Sequence, residues 1–372
     1  MTRDIDTAKR EVIRAGEQLV ASGLIARTWG NVSARISDEQ FVITPSGKAY
    51  EGLKPEDIVV VNTADASWEG DVKPSSEKGM HAAIYRLRPE AQFIIHTHQD
   101  FATDLSVLGR QFHLTLSDKD INEKLGYYIP TARYALSSTK ALEKNVAFSL
   151  AKYPQAKTVL MRNHGTVCLG KNAEEAFDLA LTLEDICRTK TEQILHHKMP
   201  KPLGAGALAD GRYAKAWHRG IHEEYDAYYE IFDDPKIGCV VETNAPFIVA
   251  MSLLTKKMRA YVDDLAQIAG PSIRVLPENA TKRQIAKALG SPSGAVMIRG
   301  RGAVCVGTDE ADAEAVAMIL DKGCQAALLA RAVRRHPLGR TTGAVSLGGG
   351  HLERFVYKQK YSKLKGGEGE SC

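Results

Sequence analysis

The sequence contains no uncharged apolar run approaching the roughly 18 residues that cross a bilayer. That absence excludes an integral helical membrane protein. No stripe of Lys and Arg interleaved with aromatics gathers anywhere, and the formal net charge is only +4, so a nucleic-acid surface is not expected. The opening MTRDIDTAKREVIRAGEQLVASG carries charges throughout and lacks the apolar centre of a signal peptide, so the expectation is a soluble, cytoplasmic protein. Cysteine is scarce. The six residues (168, 187, 239, 305, 324 and 372) form no CxxC pair, which points to reduced thiols rather than a disulfide framework. Hydrophobic content of 44% and charged content of 25% exclude a disordered or fibrous chain. A length of 372 residues favours two folded units.

Ile5, Ala8, Val12 and Leu19 recur at helical spacing before Gly23, predicting an opening amphipathic helix. NVSARI, FVITP and DIVVVN are rich in β-branched residues and separated by turn signals, the pattern of an antiparallel meander. From there the order reads helix (MHAAIYRL), strand (FIIHTH), helix, strand (YYIPTARYA), helix, strand (KTVLMRNHGTVCLG) and a long helix from Asn172. This alternation predicts an α/β layered domain around a mixed sheet. KMPKPLGAGALADGR, residues 198–212, has linker composition, and the stretch YAKAWHRGIHEEYDAYYEIF after it reads as helix.

An internal repeat follows. VLMRNHGTVCLG from Val159 and VMIRGRGAVCVG from Val296 are identical at six of twelve positions, at a constant offset of 137. Cys168 and Cys187 match Cys305 and Cys324 at the same offset. Upstream, FIIHTHQD can be laid against FIVAMSLL, which sets His96 and His98 opposite Ala250 and Ser252, and His164 opposite Arg301. In that reading three histidines vanish together while the apolar frame survives, so they serve one purpose.

Two histidines at i and i+2 on a strand point to one side, about 6 to 7 Å apart at the backbone. Two such imidazoles can converge on one metal ion, and His164, beside a glycine that permits close backbone approach, offers a third ligand. Three neutral imidazoles and an open position form a catalytic rather than a structural set. A lone HxH is equally a satisfied core pair; the joint loss in the second copy favours the metal. Ser75 and Ser76 enter a helix, where their hydroxyls cap free N–H groups or help bind an anion. Glu77 sits in that helix's first turn, where the helix dipole already favours a carboxylate, and His81 reads as structural. Gly30-Asn31 and Ser46-Gly47 mark tight turns, suited to ordinary chain reversal or to a phosphate cradle.

In this order, TWGNVSAR, ITPSG, KPSSE, HTH and NHG resemble the class II aldolase and adducin family over roughly residues 8–195. The resemblance implies a three-layer α/β/α domain with a mixed sheet over residues 1–200. A linker and helix at 201–240 and a smaller, degenerate α/β half-copy without metal ligands at 241–372 complete the expected chain. It implies that His96, His98 and His164 hold a divalent cation, zinc before manganese or cobalt, sometimes with Glu77 as a further ligand. Glu77 would be the acid/base, and Gly30, Asn31, Ser46, Gly47, Ser75 and Ser76 would hold the substrate phosphate. The implied activity is retro-aldol cleavage of a phosphorylated ketose or related sugar phosphate through a metal-stabilised enediolate. The alternatives on the same scaffold are a sugar-phosphate 4-epimerase, a decarboxylase, a dehydratase or a non-catalytic adducin-like scaffold. The implied partners are a small sugar phosphate and further copies of the chain, as a tetramer or dimer, with no nucleic acid or membrane. Where family aldolases carry a loop tyrosine, this chain reads LTLSDKDINEKLGYY, leaving Asp118 and Asp120 as candidate acid/base groups. Tyr357 and Tyr361 are alternative phenolic donors, or simply an aromatic helix face.

Overall fold

The structure, a computed structural model, describes residues 3–25, 29–113, 119–195, 213–219, 228–270, 272–289 and 294–335. Its contacts divide the chain into two compact units, Met1–Thr191 and Glu192–Cys372. The linker expected at 198–212, together with Asp118, Tyr357 and Tyr361, lies outside the described residues.

In the first unit, helix α1 (Ile5–Ala21) starts where the Asp4 carboxylate accepts the Thr7 N–H at 2.8 Å, and it buries Ala8, Val12, Ala15 and Leu19. Strands β1 (Gly30–Arg35), β2 (Gln40–Ile43) and β3 (Val59–Asn62) form the expected antiparallel meander. Helix α2 (Lys78–Leu87), strand β4 (Phe93–Thr97) and helix α3 (Asp100–Ser106) follow. A short ribbon pairs β5 (Phe112–His113) with β6 (Tyr128–Ile129), with α4 (Lys119–Leu125) between them. Strand β7 (Thr131–Ala132), helix α5 (Lys140–Lys152), strands β8 (Thr158–Met161) and β9 (Gly165–Gly170), and helix α6 (Ala173–Leu195) complete the unit. KTVLMRNHGTVCLG is thus a hairpin rather than one strand. Arg162, Asn163 and His164 make its turn, and Asn163 takes a positive φ of 63°.

The main sheet runs β3-β2-β1-β4-β9-β8-β7, antiparallel except for β7 and β8, which makes it mixed. Side chains alternate across it. Ile94, Val167 and Leu169 face α2 and α5, joining Tyr85, Leu142 and Val146 in one buried cluster. Helix α1 packs on β1 and β2, and α3 on β8 and β9, over the opposite face. The unit is therefore a three-layer α/β/α sandwich, and His96, in register with Ile94, lies on the α2 and α5 side.

The second unit repeats this plan with fewer strands. Strands β10 (Tyr213–His218) and β11 (Cys239–Thr243), helix α7 (Pro246–Leu254), strand β12 (Lys257–Arg259) and helix α8 (Asp263–Ile268) come first. Strand β13 (Ser272–Leu276), helix α9 (Lys282–Leu289), strands β14 (Ala295–Ile298) and β15 (Gly302–Gly307), and helix α10 (Glu310–Arg335) follow. The order β10-β11-β15-β14-β13-β12 matches β1-β4-β9-β8-β7 strand for strand, with β12 added at the edge.

Two expectations are corrected here. YAKAWH, read as helix, is strand β10, because pairing along β11 satisfies its backbone and tertiary context overrides local propensity. The upstream register of the repeat also changes. FIVAMSLL belongs to helix α7, so it is not the counterpart of FIIHTHQD; CVVET of β11 is. His96 pairs with Val167 as Glu242 pairs with Val304, and Thr97 pairs with Thr166 as Thr243 pairs with Ala303. The counterparts of His96 and His98 are therefore Glu242 and Asn244, while Arg301 remains the counterpart of His164. An apolar helix can imitate an apolar strand over eight residues when periodicity alone is compared.

Cys168, Cys187, Cys239, Cys305 and Cys324 are buried and unbridged. Burial pushes the Cys168 thiol up to about 12, and burial followed by the nearby acids of α10 pushes Cys239 to about 11. Thiolates are the reactive species. A disulfide-exchange reagent at pH 8 is therefore expected to titrate at most one of the six thiols in the native protein and all six in denaturant; rapid native reaction of two or more would contradict this burial.

Candidate functional site

Three imidazoles meet at one end of the first unit's sheet. His96 is the penultimate residue of β4, His98 follows immediately after the strand, and His164 is delivered by the β8–β9 turn beside β4. Their candidate ligand atoms all lie within 4.8 Å of one another. The ring centroids stand 4.8 Å (His96–His98), 5.2 Å (His96–His164) and 4.8 Å (His98–His164) apart. Glycines make the approach possible. A Cβ on Gly165 would stand 2.4 Å from the Thr97 carbonyl oxygen and 3.0 Å from the His98 ring. On Gly30, whose φ is +126°, it would stand 2.5 Å from the His96 carbonyl oxygen.

Glu77, immediately before α2 and 5% exposed, closes the cluster. Its Oε2 is 3.0 Å from His96 Nε2 and its Oε1 is 3.3 Å from His164 Nε2. The Asn31 amide donates to Oε2 at 3.1 Å, and the Ser137 hydroxyl donates to Oε1 at 2.9 Å. Burial works to raise this carboxyl, yet the charges of His96 and His164, the hydrogen bond from His96 and the charge of His98 hold it well below the usual carboxylate range.

The donor set fits a metal ion. His96 Nδ1 is 2.8 Å from the Thr166 carbonyl oxygen, so Nδ1 carries a proton, and a cation that displaced the proton on Nε2 would meet the lone pair that faces inward. That lone pair lies 3.0 Å from His98 Nε2 and 3.0 Å from a Glu77 oxygen. Electron-rich atoms crowded at this distance need positive charge among them, supplied by imidazole protons or by a cation that replaces them. Ligands about 2.0 Å from a tetrahedral ion stand about 3.3 Å from each other, close to the 3.0 and 3.3 Å separations found.

Behind Glu77 runs a buried polar chain that the sequence reading missed. Tyr85 Oη is 2.9 Å from Ser33 Oγ, Ser33 Oγ is 2.6 Å from His81 Nδ1, and His81 Nε2 is 2.5 Å from Asn31 Oδ1. One proton arrangement gives every atom a complementary partner: Tyr85 donates to Ser33, Ser33 to His81, His81 to Asn31, and Asn31 to Glu77. His81 is then neutral, in line with burial and the repulsion of His96, which outweigh Glu77 and push it down to about 3. Arg35 lies over the Tyr85 ring at 4.6 Å. Strand parity, which sets Ser33 on the same face of β1 as Asn31, could have found Ser33, but nothing in the sequence marks Ser137, which arrives from the turn before α5.

The remaining expected positions fall as follows. Pro45 and Pro74 form an isolated β-bridge that draws the Ser46–Gly47 and Ser75–Ser76 turns together, with Ser46 N–H donating to Lys73 and Ser75 N–H to Thr44. Ser46, Gly47 and Ser76 are exposed, while Ser75 is buried and accepts the Glu77 N–H at 3.3 Å. Ser138 donates to Ser76 Oγ at 2.7 Å. Asn31, expected at the anion pocket, engages both ends of its amide with His81 and Glu77. Asp120 stands exposed in the first turn of α4, apart from the histidine cluster.

Replacing any one of His96, His98 or His164 by alanine is expected to lower divalent-cation affinity by more than about 100-fold in a chelator competition, since loss of a mere supporting partner already costs 10- to 100-fold. Unchanged metal content in all three variants would remove the metal centre. Ser33→Ala leaves the His81 ring without its donor and is expected to cost about 1–3 kcal/mol on denaturant unfolding; an unshifted midpoint would show that the polar chain contributes nothing.

Comparison with known proteins adds the following. The family model described as "Class II Aldolase and Adducin N-terminal domain" matches residues 10–191 and again residues 207–328. A 5-methylthioribulose-1-phosphate/5-deoxyribulose-1-phosphate aldolase of Rhodospirillum rubrum is 34% identical over 178 residues, covering 47% of this chain and 76% of that protein. A probable L-ribulose-5-phosphate 4-epimerase of Mycoplasma pneumoniae is 32% identical over 198 residues, covering 50% of this chain and 81% of that protein. Among solved structures, an L-fuculose 1-phosphate aldolase is 28% identical with a TM-score of 0.47, covering 55% of this chain and 93% of that one.

Proposed function

The chain belongs to the class II aldolase and adducin family, and from that premise we propose that its first unit is a metal-dependent carbon–carbon lyase acting on a phosphorylated ketose. The observation that carries this reading is the convergence of His96, His98 and His164 on one point within reach of the Glu77 carboxylate. His96, His98 and His164 would hold a divalent cation there, zinc by the nitrogen-rich donor set, and it would supply Lewis acidity toward the substrate oxygens.

The chain's own groups do the rest. Glu77 moves the proton between the substrate hydroxyl or carbon and itself, and its two oxygens are oriented by Asn31 and Ser137 so that the carboxylate cannot swing away from the histidines. The neutral His81 keeps a second positive charge out of the pocket, leaving Asn31 as a pure hydrogen-bond link. The paired turns at Ser46–Gly47 and Ser75–Ser76 hold the phosphate through hydroxyls and backbone N–H groups, which fixes the far end of the substrate.

A second reading, sugar-phosphate 4-epimerisation, is favoured by the Mycoplasma pneumoniae relative, because the same enolate chemistry followed by recombination gives an epimer. Incubating the metal-loaded protein with a panel of ketose phosphates separates the two: release of dihydroxyacetone phosphate supports the lyase, and an epimer without fragments supports the other. In either case Glu77→Gln is expected to keep its metal and lose at least about 100-fold in turnover, the ordinary worth of a positioned acid/base. A wild-type rate in that variant would take Glu77 out of the mechanism, and a metal-free purified protein would favour a scaffold.

A further inference from the structure

The second unit holds a pocket of about 50 Å³ at the place where the first unit holds its histidines. Its polar lining is Glu242, Asn244 and Arg301, set around Thr243 and Gly302. The correspondence is residue by residue. Glu242 stands opposite Val304 on β15 as His96 stands opposite Val167 on β9. Asn244 follows Thr243 as His98 follows Thr97, and Arg301 precedes Gly302 as His164 precedes Gly165. The close backbone approach is kept as well. A Cβ on Gly302 would stand 1.9 Å from the Thr243 carbonyl oxygen, the counterpart of the Gly165–Thr97 approach.

The replaced side chains cannot make a metal centre. A guanidinium stays protonated and has only donors, so Arg301 places a fixed positive charge where the first unit places a third ligand. What is left is one carboxylate and one exposed carboxamide. Glu242 is half-buried and accepts the hydroxyl of buried Tyr228, whose ring meets Trp217 edge-on at 4.8 Å. The pocket is thus lined by charges of both signs: the exposed Arg301, whose Nη1 stands 3.5 Å from the Glu278 carbonyl oxygen, and the Glu242 carboxylate.

We propose that this pocket binds, without any metal, a small carboxylate carrying a hydrogen-bond donor on the adjacent carbon. Arg301 takes the carboxylate in a two-pronged pair, Glu242 accepts from the neighbouring hydroxyl or ammonium, and the Asn244 amide contacts whichever oxygen remains. The guanidinium does the charge-neutralising work that a cation does at the histidine site.

The test is isothermal titration of the full chain, stripped of metal by a chelator, with L-glycerate and with L-serine, which share one configuration and differ in the hydroxyl or ammonium donor. Saturable binding of at least one probe is expected, and the tighter of the two identifies the donor. Arg301→Gln is expected to weaken it at least 10-fold, with Arg301→Lys intermediate because it keeps the charge and loses the fork. Asn244→Asp, an exposed change that sets a second negative charge beside the ligand carboxylate, is expected to weaken it as well. His96→Ala is expected to leave it unchanged, which separates this site from that of the first unit. No saturable heat from either probe, binding that survives Arg301→Gln, or binding that disappears in His96→Ala would overturn the proposal.

Discussion

The first unit is organised around an electrostatic problem: lone pairs of imidazole and carboxylate oxygens forced to about 3 Å of each other in a buried place. Such a cluster is stable only with positive charge inside it, and burial makes the requirement stricter because water cannot screen the repulsion. Strand pairing creates the crowding. The β4–β9 register sets His96 beside the β8–β9 turn, the two glycines let backbones approach without a Cβ between them, and α2 brings Glu77 to the open side.

A second layer of neutral hydrogen bonds holds that arrangement in orientation rather than in charge. The Thr166 carbonyl fixes which nitrogen of His96 is protonated, and the run from Tyr85 through Ser33, His81 and Asn31 fixes how Glu77 is turned. Each link has one donor and one acceptor, so the orientation of the carboxylate is set some distance away, at the Tyr85 hydroxyl packed beneath Arg35. Low local dielectric strengthens such a chain and penalises any break in it.

Much of this was legible in the sequence. The meander was visible because its strands are rich in β-branched residues and separated by turn signals, and α1 because its apolar residues recur every three or four positions. The histidines were legible as a group because HTH is a strand-spaced pair and NHG carries a glycine. What was not legible depended on three dimensions. Ser137 comes from a turn remote in sequence and has no pattern of its own. His81 looked like any helix residue until Ser33 and Asn31 were placed on either side of it. The strand β10 looked helical because its pairing partner, β11, was itself unrecognised, and the same oversight let an apolar helix stand in for the missing β11. Pairing is a non-local property, and period counting within one segment cannot see it.

The approach of Gly302 to the Thr243 carbonyl repeats that of Gly165 to Thr97, although Glu242, Asn244 and Arg301 stand where the first unit has His96, His98 and His164. The hairpin's shape and the groups mounted on it are thus separable inheritances: one is dictated by how tightly two backbones must nest, the other only by what the cleft is asked to hold. Divergence between the halves has changed the groups on the turn while the mould stayed fixed.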